Sequence, residues 1–131
     1  MYELINPRFY YISVPENNYM TWTTQQKKET VIQTGLYECH DEYFIAYKGI
    51  RRNRYSAFNF QYQYLPGETY VTHADYTQKE SSFGFSAWTE EEARNYCDEL
   101  VVKVKIYYED VARVVHNDGS KIRCCKMTVL T

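Results

Sequence analysis

Residues 83–107 limit the fold more than any other part of the chain. The run Phe83-Gly84-Phe85-Ser86-Ala87-Trp88 is aromatic and small and carries no charge, which suits a strand lying inside a core. Thr89-Glu90-Glu91-Glu92 then forms a Thr-x-x-Glu capping box. In such a box the Thr89 hydroxyl accepts from the Glu92 N–H, and the Glu92 carboxylate reaches back to the Thr89 N–H. Three glutamates in the first turn also suit the positive end of a helix dipole. Trp88 and Ala93 occupy hydrophobic-staple positions, and Ala93, Tyr96, Cys97 and Leu100 follow helical spacing. A helix over about 90–98 is too short to stand alone, so it must dock on a sheet. Leu100 to Tyr107 follows at once, with Val102, Val104 and Ile106 alternating with Lys103 and Lys105, the period of a half-buried strand.

The remaining chain reads mostly as further strands. Tyrosine occurs 15 times and aromatics make up 18% of the residues, which favours sheet over a helical bundle. Arg8–Val14 is a predicted strand stopped by Pro15, and Tyr19–Trp22 a short edge strand. Thr23–Glu29 is polar and turn-like, with one helical turn as the alternative over Gln25–Glu29. Thr30–Tyr37 is a predicted strand with Gly35 at a bulge, and Glu38–Glu42 a charged turn. Tyr43–Ile50 is a strong strand. In Phe58–Tyr64 the residues Phe58, Phe60, Tyr62 and Tyr64 alternate strictly with polar ones. Leu65-Pro66-Gly67-Glu68 is a type II turn signal leading into a strand over Thr69–His73, and Ala74–Ser82 is a polar loop. Val111–His116 and Ile122–Leu130 are expected to pair as a hairpin about Asn117–Ser120. One main helix against about eight or nine strands predicts an α+β domain, mainly antiparallel sheet with the short helix packed on it.

A chain of 131 residues fits one domain with its own core, so 1–131 is read as a single unit. A division at the charged turn would instead leave 1–40 as an N-terminal add-on to a module over 44–131. The net charge of −2 gives no bulk attraction to nucleic acid or anionic lipid. No apolar run is long enough to span a membrane, and Met1–Pro15 has no charged region and cleavage site of a signal peptide. Cys39, Cys97, Cys124 and Cys125 are therefore expected as reduced thiols in a cytoplasmic protein. They and the histidines form no Cys-x-x-Cys or His-x-x-x-His pair, so no metal is expected. The absence of a glycine-rich phosphate loop disfavours kinase or ATPase chemistry. A Cys–His nucleophile pair meets in space and not along the chain, and nothing in the sequence singles one out.

Lys48, Arg51, Arg52 and Arg54 form a basic cluster interleaved with Tyr47, Tyr55, Phe58 and Phe60. Such a cluster is commonly a solvated loop after a strand; alternatively it holds phosphates and stacks bases, or meets an acidic protein. The expected ligand-binding residues are Tyr47, Lys48, Arg51, Arg54, Phe85 and Tyr96, with the Gly84–Trp88 backbone as a pocket floor. The tyrosine content also suits a protein partner or a homo-oligomer, since tyrosine is enriched at interface hot spots.

Two resemblances accompany these readings. Ala46-Tyr47-Lys48-Gly49, Gln61 to Tyr70, Phe83-Gly84-Phe85, the helix at Ala93–Tyr96 and Lys121-Ile122-Arg123 through Leu130 resemble an uncharacterised domain of giant-virus and phage proteins. That domain often lies behind pentapeptide repeats. Ser86 stands where it commonly has histidine, and no pentapeptide repeat precedes the segment here. The family brings no established activity, and the resemblance implies a viral or phage origin; together with the readings above, the expectation is an accessory protein of the host cytoplasm or virion that acts by binding a protein or a phosphate-bearing ligand and not by catalysis. Tyr47-Lys48-Gly49, Gly84-Phe85-Ser86-Ala87, Ala93 to Cys97 and the strand Leu100–Ile106 are similar in layout to ADP-ribosyltransferase-like domains. This second resemblance implies an NAD or nucleotide site, with Lys48 in the His/Arg place, Phe85 or Ser86 in the aromatic or serine place, and Glu109 as the catalytic glutamate. No other cofactor is expected.

Overall fold

The computed structural model describes residues 21–57, 61–115 and 118–131. The predicted strand over Arg8–Val14, the first half of Tyr19–Trp22, and Phe58 and Phe60 lie outside the described residues.

The first described helix, α1, runs over Thr24–Thr34, where the sequence reading placed a turn and then a strand. Its ends explain the difference. The Thr23 hydroxyl accepts from the Gln26 N–H at 3.2 Å while the Gln26 side chain accepts from the Thr23 N–H at 2.8 Å, a capping box with Gln in the last place. Gly35 is no bulge: at φ +70° it is the left-handed C-cap, and its N–H donates to Ile32 O. β-Branched Thr30, Val31 and Ile32 suggested a strand, but two strong caps and burial of Val31 in the core override that propensity.

Eight strands follow: β1 Glu38–Cys39, β2 Tyr43–Ile50, β3 Thr69–Val71, β4 Phe85–Trp88, β5 Leu100–Tyr107, β6 Val111–Val114, β7 Lys121–Cys124 and β8 Lys126–Val129. A second helix, α2, spans Glu90–Tyr96, and Tyr108–Asp110 makes a 3-10 turn after β5. All pairings are antiparallel, in the order β3-β8-β5-β2-β4-β7-β6, with β1 beside the start of β2. The domain is therefore α+β and dominated by antiparallel sheet.

The final predicted strand is two strands. Its chain breaks at Cys125, so that β7 pairs with β4 and β6 while β8 pairs with β5 and β3. In a flat sheet β7 and β8 would stand about 19 Å apart, four strand spacings. One connecting residue spans less than half of that, so the sheet must curl into an open barrel. The inward side chains fill it: Phe44, Ala46 and Ile50 from β2, Phe85 and Ala87 from β4, Val102, Val104 and Ile106 from β5, Ile122 and Cys124 from β7, Met127 and Val129 from β8.

Other turns follow their sequence signals. Gly67 has φ +85° and the Glu68 N–H donates to Leu65 O at 3.2 Å, as the Pro-Gly turn requires. Thr89 caps α2 by accepting from Glu92 N–H at 3.3 Å. The reciprocal half of that predicted box is replaced by a tertiary bond, because the Thr89 N–H donates to Ser120 O at 3.1 Å. Only Ala93 of α2 is buried; Tyr96 and Cys97, expected on the buried face, are partly exposed. A helix of two turns has few positions that can face the sheet, and here Ala93 takes the one over Gly49. Gln61–Tyr64 carries the expected alternation without a strand ladder, with a single bridge between Gln63 and Tyr55.

A candidate anion-binding cleft

β2 and β4 are paired only at Tyr47 and Trp88. Past that point the two strands separate, and the gap between them is a cleft of ≈ 410 Å³. Lys48, Gly49 and Ile50 of β2 and Phe85, Ser86 and Trp88 of β4 form its floor, Tyr62 and Tyr64 one wall, Ser81–Gly84 the other, with Tyr96 and Lys121 at its margin. Its volume falls in the range of small-molecule sites.

The strand period explains the floor. Phe44, Ala46, Lys48 and Ile50 share one face of β2, and the other three lie in the hydrophobic core. Lys48 is thus a cation at a core-facing position, only 7% exposed. Because β4 has left the ladder, the Ser86 carbonyl is open to it, and the Lys48 ammonium donates there in a short hydrogen bond. The same ammonium lies 5.2 Å from the Tyr64 ring centre and 5.6 Å from that of Trp88, where the ring faces attract a cation. Desolvation pulls the Lys48 pKa down to about 8, against a partial opposing pull from Cys124, and neighbouring Lys121 lowers it further. The same burial pushes the Cys124 thiol up to about 12.

Lys121 enters from β7, opposite Trp88. Its side chain is 9% exposed, and its ammonium lies 5.7 Å from the Trp88 ring centre. It donates to the Glu80 carbonyl at 2.5 Å and is 3.4 Å from the Glu80 carboxylate, which is itself well exposed on the rim. No carboxylate side chain occurs among the described residues lining the cleft. The walls are aromatic. Tyr62 and Tyr64 stack at 6.0 Å and 8°, Tyr62 meets Phe85 edge-on at 5.2 Å, and Tyr96 stacks on Trp88 at 4.5 Å. Burial raises the Tyr64 and Tyr96 phenols above their usual range, so both remain neutral donors.

Two devices hold the walls. α2 lies directly on Gly49, where any Cβ would overlap the Ala93 and Cys97 carbonyl oxygens. Arg123, fully buried on β7, donates to the carbonyls of Asp75 (3.1 Å), Thr77 (2.8 Å) and Lys79 and so pins the loop that precedes Ser81. That loop is closed on itself by Asp75, which accepts from the Ser82 hydroxyl at 2.6 Å and from Thr77. These bonds, with the Ser82 one foremost, hold the Asp75 carboxyl down at about 2.

Of the residues expected from sequence, Lys48, Phe85, Ser86 and Tyr96 meet in this cleft. Tyr47 is one residue from Lys48 and therefore on the other face of β2. Arg51 and Arg54 lie outside the cleft. Arg51 donates to the carbonyls of Ser56 and Ala57, and Arg54 to those of Tyr64 (2.6 Å) and Thr131 (2.9 Å); neither lines the cleft, and both clamp the loop after β2. Arg54 does so at φ +75°. Glu109 lies apart from the cleft as well. It follows Tyr107, which pairs with Tyr43, five residues along β2 from Lys48, or about 17 Å. Sequence reasoning missed Lys121 and the Tyr62–Tyr64 wall. A lysine opening a strand gives no signal of its own, whereas Lys48 could be found as a charge in an otherwise apolar period-two series.

Among the described residues no helix is long and apolar enough to cross a membrane, and no His, Cys, Asp and Glu side chains cluster as a metal site would need. No family model matches the chain, and no curated protein or solved structure matches it.

Proposed function

We propose that the protein binds a small anionic ligand carrying a planar ring, such as a nucleotide, in the cleft between β2 and β4. One observation carries this reading: two nearly buried lysines, Lys48 and Lys121, converge on the Trp88 ring in a cleft lined by aromatics and hydroxyls and by no carboxylate. Buried cations are costly without a counter-charge; no described carboxylate lies beside Lys48, and Lys121 has only the exposed Glu80 carboxylate at 3.4 Å, so an incoming phosphate or carboxylate would supply charge to both. Stacking on Trp88, Tyr62 or Tyr96 would hold a ring. The reading is of binding and not of group transfer, because Glu109 stands at the opposite end of β5. A role as a viral or phage accessory protein rests on the sequence resemblance alone, and binding of NAD on the transferase-like layout.

The test is titration calorimetry with NAD, ADP-ribose, mononucleotides and pyrophosphate against the wild type, Lys48→Met and Lys121→Gln. Saturation at about a hundred times Kd would also raise stability by about 2.7 kcal/mol. Binding is expected to weaken at least tenfold in each variant, about 1.4 kcal/mol per charge-assisted contact. Equal affinities in all three proteins would place the ligand elsewhere, and a wild type that binds none of these anions would end the proposal.

A further inference from the structure

Lys48 has a second property that anion binding does not use. Its amine is at the bottom of an open cleft, held by one acceptor, the Ser86 carbonyl, and faced by the rings of Tyr64 and Trp88. Among the described residues no carboxylate lines the cleft to keep the amine protonated. Lys121, the second cation, approaches the same Trp88 ring. A desolvated lysine beside another cation is the arrangement that makes an amine nucleophilic. Its proton loss near pH 8 agrees with this. Ser86 accepts one N–H and thereby orients the amine, leaving its lone pair free for the cleft once the proton is gone.

We propose that the cleft captures its ligand covalently: Lys48 forms a reversible imine with an aldehyde or ketone whose anionic group is held by Lys121. This rests on the cleft being the anion site. The lone pair of Lys48 Nζ adds to the carbonyl carbon, and the carbonyl π pair moves to oxygen. The two amine protons then leave with that oxygen as one water, so amine and carbonyl become imine and water with no oxidant or reductant. Lys121 is a positioning residue, since it acts on the anionic group and not on the reacting carbon. The ligand class is a phosphorylated or carboxylated carbonyl compound.

Pyridoxal 5′-phosphate is a suitable probe, being a planar aldehyde with a phosphate. Pyridoxine 5′-phosphate, which lacks the carbonyl, and pyridoxal, which lacks the phosphate, are the controls. The protein is treated at about pH 7.5, reduced with borohydride, digested and mapped by mass spectrometry. An amine with pKa near 8 is neutral about two hundred times more often at this pH than an ordinary lysine, so Lys48 should label at least about tenfold faster than exposed Lys103 or Lys126. Lys121→Gln should slow labelling by pyridoxal 5′-phosphate while leaving labelling by pyridoxal unchanged. Lys48→Arg should lose the site-specific label yet still bind pyridoxine 5′-phosphate. Labels spread over exposed lysines with Lys48 untouched would overturn the imine. If pyridoxine 5′-phosphate then still binds the wild type and competes with a nucleotide, the anion site stands without amine chemistry. If no phosphate compound binds, both readings fall together.

Discussion

Replacing Lys48 by methionine keeps the length of the side chain and removes its ammonium group, which isolates the energetic consequence of a charge in a core-facing position. The folded protein releases the Lys48 proton near pH 8, and an unfolded lysine does so near 10.5. Between these values the unfolded chain holds more protons, so the stability owed to this group rises with pH across the window. At about 1.4 kcal/mol per pH unit, the charged form burdens the fold by at most about 3 kcal/mol below pH 8. Methionine removes that burden but leaves the Ser86 carbonyl without its donor, a loss of about 1 kcal/mol, and forfeits the contacts with Tyr64 and Trp88. Lys48→Met should therefore be more stable than the wild type at pH 7 by about 1–2 kcal/mol, a rise in Tm of several degrees for a domain of this size. The gap should close and reverse as the pH passes 10, where the wild-type amine is neutral and still donates to Ser86. Urea unfolding followed by tryptophan fluorescence at a series of pH values measures this directly. A variant less stable than the wild type at pH 7, or a gap independent of pH, would refute the reasoning. The outcome matters for function, because a fold that retains a destabilising charge is expected to use it.

Three further substitutions probe the scaffold. Gly49→Ala should destabilise by about 3 kcal/mol or more, since backbone carbonyls of α2 cannot yield as side chains do; circular dichroism melts would show it, and a near-neutral effect would mean that α2 does not sit against β2. Arg123→Ala leaves three loop carbonyls without their donor, so a loss of about 3 kcal/mol should accompany faster proteolysis after Lys79. Cleavage at the wild-type rate would count against the loop being pinned. Arg54→Ala removes two hydrogen bonds while keeping a left-handed backbone. Arg54→Gly removes the same bonds and relieves the strain, so the glycine variant should be the more stable of the two by about 1 kcal/mol, and the reverse order in thermal melts would show that position 54 is not strained.

Local signals of the sequence determine much of this protein. Val102, Val104 and Ile106 alternate with Lys103 and Lys105, Tyr43–Ile50 is a nearly continuous apolar and aromatic run, and Thr89 caps its helix; all of these are readable from neighbours a few residues away. Those features sufficed for an antiparallel α+β domain, whereas Lys48, Phe85, Ser86 and Tyr96 were named from the basic cluster, the Gly84–Trp88 stretch and the transferase-like layout. The same local logic misassigned Thr24–Thr34, where β-branched residues outweighed the capping signals in the reading but not in the fold. It also turned Ile122–Leu130 into one strand. Nothing within that segment says that its halves have different partners; only closure of the sheet through β5, β2 and β4 requires the break at Cys125. Tertiary structure likewise decided the chemistry of the basic residues. Arg51 and Arg54 look like ligands in sequence and serve as loop clamps, since each guanidinium finds fixed carbonyls nearer than any cleft. Lys48 and Lys121 are 73 positions apart in the chain and meet at one tryptophan ring because β2 and β7 flank β4. Burial, which sets the proton affinity of Lys48, is a property of that assembled gap and of no segment on its own.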